Sequence, residues 1–167
     1  HQFWIKEQNY GITVESLKDC GRNLNDEINL RSAEEILGRL IELDDRPLTA
    51  AREADKRDVG DWRDYSVMLV SMLRHQGVSA RVRSGVARYF FPVEGDLEDH
   101  FICEFWNETE NRWQRADAQI DSVQKRVLQL AMDMTDLPQD QFLDAGESYD
   151  ELESGRVKPE KIGIFDF

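Results

Sequence analysis

The spacing of apolar residues changes at Gly77, and this change constrains the fold more than any other feature of the sequence. Five apolar residues before it recur at helical spacing: Tyr65, Met68, Leu69, Met72 and Leu73. This spacing predicts a helix over residues 62–76 that is buried on at least one face. Gly77 then stands where a left-handed residue commonly ends a helix. The sequence therefore predicts a central helix that ends just before a change of structure.

Three segments after Gly77 alternate between apolar and polar residues, which is typical of strands. They cover residues 80–89, 101–106 and 112–116. The last two are joined by a short polar run, residues 107–111, so we expect them to be antiparallel neighbours in a hairpin. Residues 92–98 are predicted to form an acidic loop between the first two strands.

Helices are predicted on both sides of this central part. Ser32 followed by Glu35 has the form of a capping box, and the apolar residues after it favour a helix over residues 33–43. At the other end, Pro138 is predicted to start a helix that continues to Gly155.

The order of helices, antiparallel strands and helices predicts an α+β fold. We expect residues 1–167 to form a single domain, because a chain of this length can bury a sizeable core. Residues 1–30 have scattered apolar positions without a clean period, and we expect them to pack on the domain as an N-terminal extension, with Trp4 and Tyr10 in a lid or strand.

Charge and composition exclude several classes of function. The net charge of −13, with 34 acidic and 21 basic residues, argues against nucleic acid as a partner. No apolar run approaches the length of a membrane span, so we expect a cytoplasmic protein without a membrane partner. Cys20 and Cys103 have no ligand-like neighbours, and no phosphate-binding glycine loop is present, so neither a metal nor a cofactor is expected.

Four short motifs follow one another in the middle of the chain. They are Gly60-Asp61-Trp62, Leu73-Arg74 with Gly77-Val78-Ser79-Ala80-Arg81, His100 with Glu104, and Trp113 with Asp117. In this order they resemble the transglutaminase-like (papain-like cysteine) superfamily. The resemblance implies a central helix packed on an antiparallel sheet, with flanking helices.

The residues around these motifs resemble those of a bacterial branch of stand-alone transglutaminase-like proteins. The segments that carry this likeness are residues 99–107, 117–121, 141–146 and 163–167. In such relatives the chain continues past this point, so we expect the C-terminus to be truncated.

The resemblance also implies a catalytic site. In the family, a cysteine at the N-terminus of the helix is the nucleophile, a histidine accepts its proton and an aspartate orients the histidine. His100 and Asp117 match the last two positions, but Trp62 stands where the cysteine is expected. An indole N–H is a hydrogen-bond donor only, so covalent catalysis at this position is excluded. Strand alternation directs Cys103 away from His100, and Ser66 lies one turn too deep in the helix.

Three interpretations follow. In the first, the chain is a divergent enzyme in which His100 and Asp117 perform non-covalent acid–base chemistry of an isomerase, lyase, cyclase or hydrolase type on a small molecule or peptide. Trp62, Asp61 and Tyr89 then contact the substrate. In the second, the chain is an inactive homologue that acts as a binding or scaffold module. In the third, Trp62 replaces a natural cysteine. An open pocket beside Trp62 favours chemistry, whereas an indole packed on His100 without a cavity favours an inactive site.

Overall fold

The computed structural model describes residues 3–4, 13–91 and 95–164, which adopt an α+β fold. The helices are α1 (Val14–Asp19), α2 (Leu24–Glu27), α3 (Ala33–Leu43), α4 (Trp62–His75), α5 (Ser122–Val127) and α6 (Ala145–Glu153). The strands are β1 (Phe3–Trp4), β2 (Asp58–Val59), β3 (Ala80–Phe91), β4 (Asp96–Asn107), β5 (Arg112–Ala116), β6 (Phe142–Asp144) and β7 (Ile162–Gly163).

The main sheet is antiparallel in the order β5-β4-β3-β6, and β7 adds to β4 as a short parallel strand. A second, two-stranded parallel sheet joins β1 to β2. The predicted hairpin of β4 and β5 is confirmed, with Trp106 opposite Trp113 and Glu104 opposite Arg115.

Local sequence signals explain the position of α4. Asp61 precedes the helix, and its side chain accepts hydrogen bonds from the backbone N–H groups of Arg63 and Asp64. Asp64 accepts from the N–H of Asp61 in return, which completes a capping box. At the other end Gly77 has a φ of 82°, so the predicted left-handed residue is confirmed. The capping box of Asp61 and Asp64, which lies within the sequence of this segment, therefore explains why the helix begins at Trp62.

The two faces of the main sheet are buried against different parts of the chain. Val70 of α4 packs with Ala80 and Cys103 on one face. On the other face, Ile102 and Tyr89 pack against residues that follow β5, among them Met134. The sheet is thus covered by α4 on one face and, over part of the other face, by the residues that follow β5.

The described part of the N-terminal region is joined to the rest by a buried charge cluster. Glu27 of α2 accepts hydrogen bonds from Arg22, from Arg39 of α3 and from the backbone N–H of Val59. Leu17 of α1 packs against Val59 in a small apolar cluster. Trp4 lies in β1, while Tyr10 lies outside the described residues.

Two sequence predictions are wrong. The acidic segment 92–98 is not a loop throughout, because β4 already begins at Asp96. Within this segment, Asp96 and Glu98 pair with residues of β3. The helix predicted from Pro138 to Gly155 is interrupted by β6, and α6 begins only at Ala145. The reason is tertiary: Gly85 in β3 lets β6 approach so closely that an added Cβ would lie 2.1 Å from the Leu143 carbonyl oxygen.

Every helix in the described part of the chain is too short or too polar to cross a membrane.

Candidate functional site

His100 and Asp117 are brought together by neighbouring strands. His100 lies in β4, and Asp117 follows the last residue of β5. His100 Nε2 lies 2.9 Å from Asp117 Oδ2, and both side chains are only 1% exposed. The two residues that the sequence assigns to the catalytic pair are therefore in hydrogen-bond contact, inside the protein.

The Asp117 carboxylate is also held by two further donors. The Tyr89 hydroxyl donates to Oδ2 at 2.6 Å, and the backbone N–H of Gln119 donates to Oδ1 at 2.9 Å. Burial, together with the negative charge of Asp117, raises the pKa of Tyr89 well above its usual value, so the hydroxyl keeps its proton. Asp117 is thus fixed by three donors from three parts of the chain, which orients His100 rigidly.

Aromatic rings surround the imidazole. Phe90 meets it edge-on with the ring centroids 5.0 Å apart, and Tyr89 does so at 6.0 Å. The Trp62 indole lies 6.5 Å from it and is tilted by 43°, so the two rings are close but not stacked. His100 therefore lies in an aromatic enclosure and has no direct exposure to bulk water.

The three residues predicted to contact a substrate lie in different environments. Trp62 is the first residue of α4 and is partly exposed beside His100. Asp61 is also partly exposed, but one of its carboxylate oxygens is used to cap the helix. Tyr89 is 1% exposed and lies behind the pair, where it binds Asp117. Of the three, Trp62 is placed best for contact with an incoming molecule.

Neither alternative nucleophile lies free beside His100. The Ser66 hydroxyl donates to the Phe101 carbonyl at 2.9 Å and approaches the Trp62 carbonyl at 3.2 Å. Cys103 packs on the opposite face of the sheet, where burial, and to a lesser extent Glu104, raises the pKa of its thiol to about 12. Both side chains are committed to the core of the protein.

Two cavities lined by described residues lie away from the His100–Asp117 pair. One, of about 500 Å³, lies between the C-terminal end of α4 and β4, with Val78, Phe105 and Trp106 in its wall. Another, of about 310 Å³, is bordered by Arg22 and Arg39. Within the described ranges, the acidic, histidine and cysteine side chains form no cluster suited to a metal ion.

The sequence predicts that Tyr89 contacts a substrate and does not predict its hydrogen bond to Asp117. The pairing of β3 with β4 becomes irregular between Ala87 and Phe91, so alternation no longer predicts which face a residue occupies. Tyr89 and Phe90 are both buried as a result. The alternation of the sequence does not mark this irregularity, so no sequence signal indicated the hydrogen bond from Tyr89 to Asp117.

Comparison with known proteins gives one finding. The family model described as the transglutaminase-like superfamily matches residues 33–118, which extend from the start of α3 to just beyond Asp117. No curated protein and no solved structure gives a significant match.

Proposed function

The chain belongs to the transglutaminase-like superfamily, and we propose that it is a non-catalytic member that acts as a binding or scaffold module. In this proposal, Trp62 occupies the position of the nucleophile. The His100–Asp117 pair is then retained for the stability of the fold.

The burial of the pair carries this proposal. A general base must come within hydrogen-bond reach of the proton that it removes. His100 is 1% exposed, and the rings of Trp62, Tyr89 and Phe90 surround it. A buried network in which the donors and acceptors are matched stabilises a fold, since each member satisfies another. The geometry therefore supports a structural role for His100 better than contact with a substrate.

One observation favours a second candidate, the non-covalent acid–base enzyme. His100 uses Nε2 to contact Asp117, which leaves Nδ1 as the nitrogen that can accept a proton. An aspartate that fixes the tautomer of a histidine in this way is typical of catalytic sites. For this candidate to hold, Trp62 must move aside to admit a substrate.

The two candidates are distinguished by the effect of His100→Gln on activity and on stability. The parent, His100→Gln and His75→Gln are compared for acyl transfer from a glutamine-containing peptide amide to a primary amine, and for hydrolysis of an activated ester. His75 is exposed in the last turn of α4, so His75→Gln is the matched control.

We expect no turnover by the parent above that of His100→Gln. We also expect His100→Gln to lower the free energy of unfolding by about 2 kcal/mol, because the flexible amide can still donate to Asp117 but does not fill the space of the imidazole among the rings of Trp62, Tyr89 and Phe90. His75→Gln should remain within about 0.5 kcal/mol of the parent. Turnover by the parent that is lost in a folded His100→Gln variant would refute the proposal and support the enzyme.

Trp62→Cys provides an independent arm of the same experiment. This substitution removes the indole and places a thiol at the N-terminus of α4, where the helix favours the thiolate. Thiol-dependent turnover that appears only in Trp62→Cys is expected if Trp62 occupies the position of a lost nucleophile. The same turnover in the parent would contradict the proposal.

A further inference from the structure

A second polar constellation lies on the face of the sheet that is turned away from α4. Arg81 of β3 is opposite Glu104 of β4, which is opposite Arg115 of β5. Two residues further along β4, Trp106 is opposite Trp113. Because alternate residues of a strand share a face, these five side chains lie side by side.

Glu104 holds three guanidinium groups in place. Arg81 and Arg83 both donate Nε–H to its Oε2, at 2.8 and 2.6 Å, and Arg115 donates to Oε1 at 3.0 Å. Burial alone would raise the pKa of Glu104, but the hydrogen bonds from these arginines outweigh it and lower the pKa. The carboxylate is therefore ionised at neutral pH and fixes the orientation of both Arg81 and Arg83.

The outer nitrogens of Arg81 and Arg83 remain available. Among the described residues, neither arginine donates a hydrogen bond through Nη, and Arg83 Nη1 forms a long ion pair with an Asp144 oxygen at 3.9 Å. The side chains are 41% and 35% exposed. Arg115 differs, because its Nη1 donates to the Phe142 carbonyl at 2.9 Å inside the protein. Two oriented guanidinium groups thus present unused donors to solvent in a chain of net charge −13.

An apolar surface adjoins these donors. The Arg81 guanidinium lies 4.0 Å above the Trp113 ring, which meets the Trp106 ring edge-on at 5.8 Å. Both indoles are partly exposed on the same face of the sheet as Arg81. A ligand held at the guanidinium groups would therefore have aromatic surface beside it.

We propose that Arg81 and Arg83 bind the C-terminal carboxylate of a peptide, and that the last side chain of that peptide contacts Trp106 and Trp113. The two oxygens of a carboxylate match the spacing of guanidinium N–H groups, and such bonds are stronger when both partners are charged. The aromatic surface favours an organic carboxylate with an apolar neighbour over a small inorganic anion. This site does not depend on whether His100 is structural or catalytic.

The test compares two probes that differ only in their terminal charge. N-acetyl-Gly-Leu-Phe with a free carboxylate and the same peptide with a C-terminal amide are titrated into the parent, with calorimetry and tryptophan fluorescence as readouts. We expect the carboxylate form to bind at least tenfold more tightly than the amide, and its affinity to fall as salt is added. This comparison uses the parent alone, so it does not depend on the folding of a variant.

Substitutions then locate the site. Arg83→Gln should weaken binding of the carboxylate probe about tenfold, which corresponds to about 1.4 kcal/mol. Arg83→Lys should also weaken it, because the charge remains but the fork of N–H donors is lost. Arg88→Gln is the matched control, since Arg88 lies on the same strand with its side chain 33% exposed, and it should bind like the parent.

Three results would overturn the proposal. The first is equal binding of the carboxylate and amide probes, and the second is unchanged affinity in a folded Arg83→Gln variant. The third is competition by inorganic phosphate: displacement of the probe by phosphate at concentrations below the probe's own dissociation constant would identify a site for small anions.

Discussion

Removal of the Tyr89 hydroxyl tests the buried network with the smallest possible change. Tyr89→Phe keeps the ring that packs beside His100 and deletes only the donor to Asp117 Oδ2. Hydrogen bonds to charged groups contribute about 1.5–3 kcal/mol each. Asp117 keeps the donors of His100 and Gln119, so we expect a loss near the lower part of this range, about 2 kcal/mol. For a chain of this length, the melting temperature should fall by about 4–8 °C.

Equilibrium unfolding in urea measures this loss directly, provided that the slope of the transition is unchanged. Tyr149→Phe is the matched control, because Tyr149 is 60% exposed on α6 and should tolerate the same change within about 0.5 kcal/mol. A loss below about 0.5 kcal/mol for Tyr89→Phe would refute the view that the hydroxyl stabilises Asp117.

Three further predictions concern other parts of the fold. Cys20 is exposed and Cys103 is buried, and the pKa of the Cys103 thiol is raised to about 12. A disulfide reagent at pH 8 should therefore modify one thiol in the native protein and two thiols in denaturant. Modification of two thiols in the native protein would contradict the packing of Cys103. Burial, and then the charges of Glu27 and Asp64, raise the pKa of Asp58 from 3.8 to about 7. The folded protein therefore binds this proton more tightly than the unfolded chain, so urea unfolding should show stability falling from about pH 4 to about pH 7. Asp58→Asn should flatten that fall, whereas Asp45→Asn, at an exposed position, should not. A fall in Asp58→Asn as steep as that in the parent would be evidence against a raised pKa of Asp58. Gly85→Ala should lower the free energy of unfolding by about 3 kcal/mol in the same assay, because its Cβ would meet the Leu143 carbonyl oxygen. The control Gly38→Ala, with open space around it, should leave the stability unchanged or raise it. An unchanged stability in Gly85→Ala would contradict the close approach of β6.

The elements that the sequence predicted correctly are those with local signals. The helix over residues 33–43 has its capping box, and α4 has an apolar stripe, an aspartate cap and Gly77 at its end. The β4–β5 hairpin follows from alternation and a short polar connection. Each of these signals lies within about fifteen residues of chain, so no knowledge of tertiary packing was needed.

The elements that were missed depend on partners far away in sequence. β6 is only three residues long, too short to show a period, and it forms because Gly85 in β3 leaves room for it. The bond between Tyr89 and Asp117 joins residues 28 positions apart across an irregular part of the sheet. In the candidate site, the motifs predicted the His100–Asp117 contact, but its closure by Trp62 and Phe90 is a product of packing that the motifs do not contain.

The solvent access of His100 tests the central claim most directly. Diethyl pyrocarbonate modifies accessible imidazoles, and mass spectrometry of peptides from the treated native protein reports each histidine separately. The structure predicts rapid modification of exposed His75 and protection of His100 until the protein is unfolded. Modification of native His100 at a rate comparable to that of His75 would contradict a closed, structural pair and would favour an open site for chemistry.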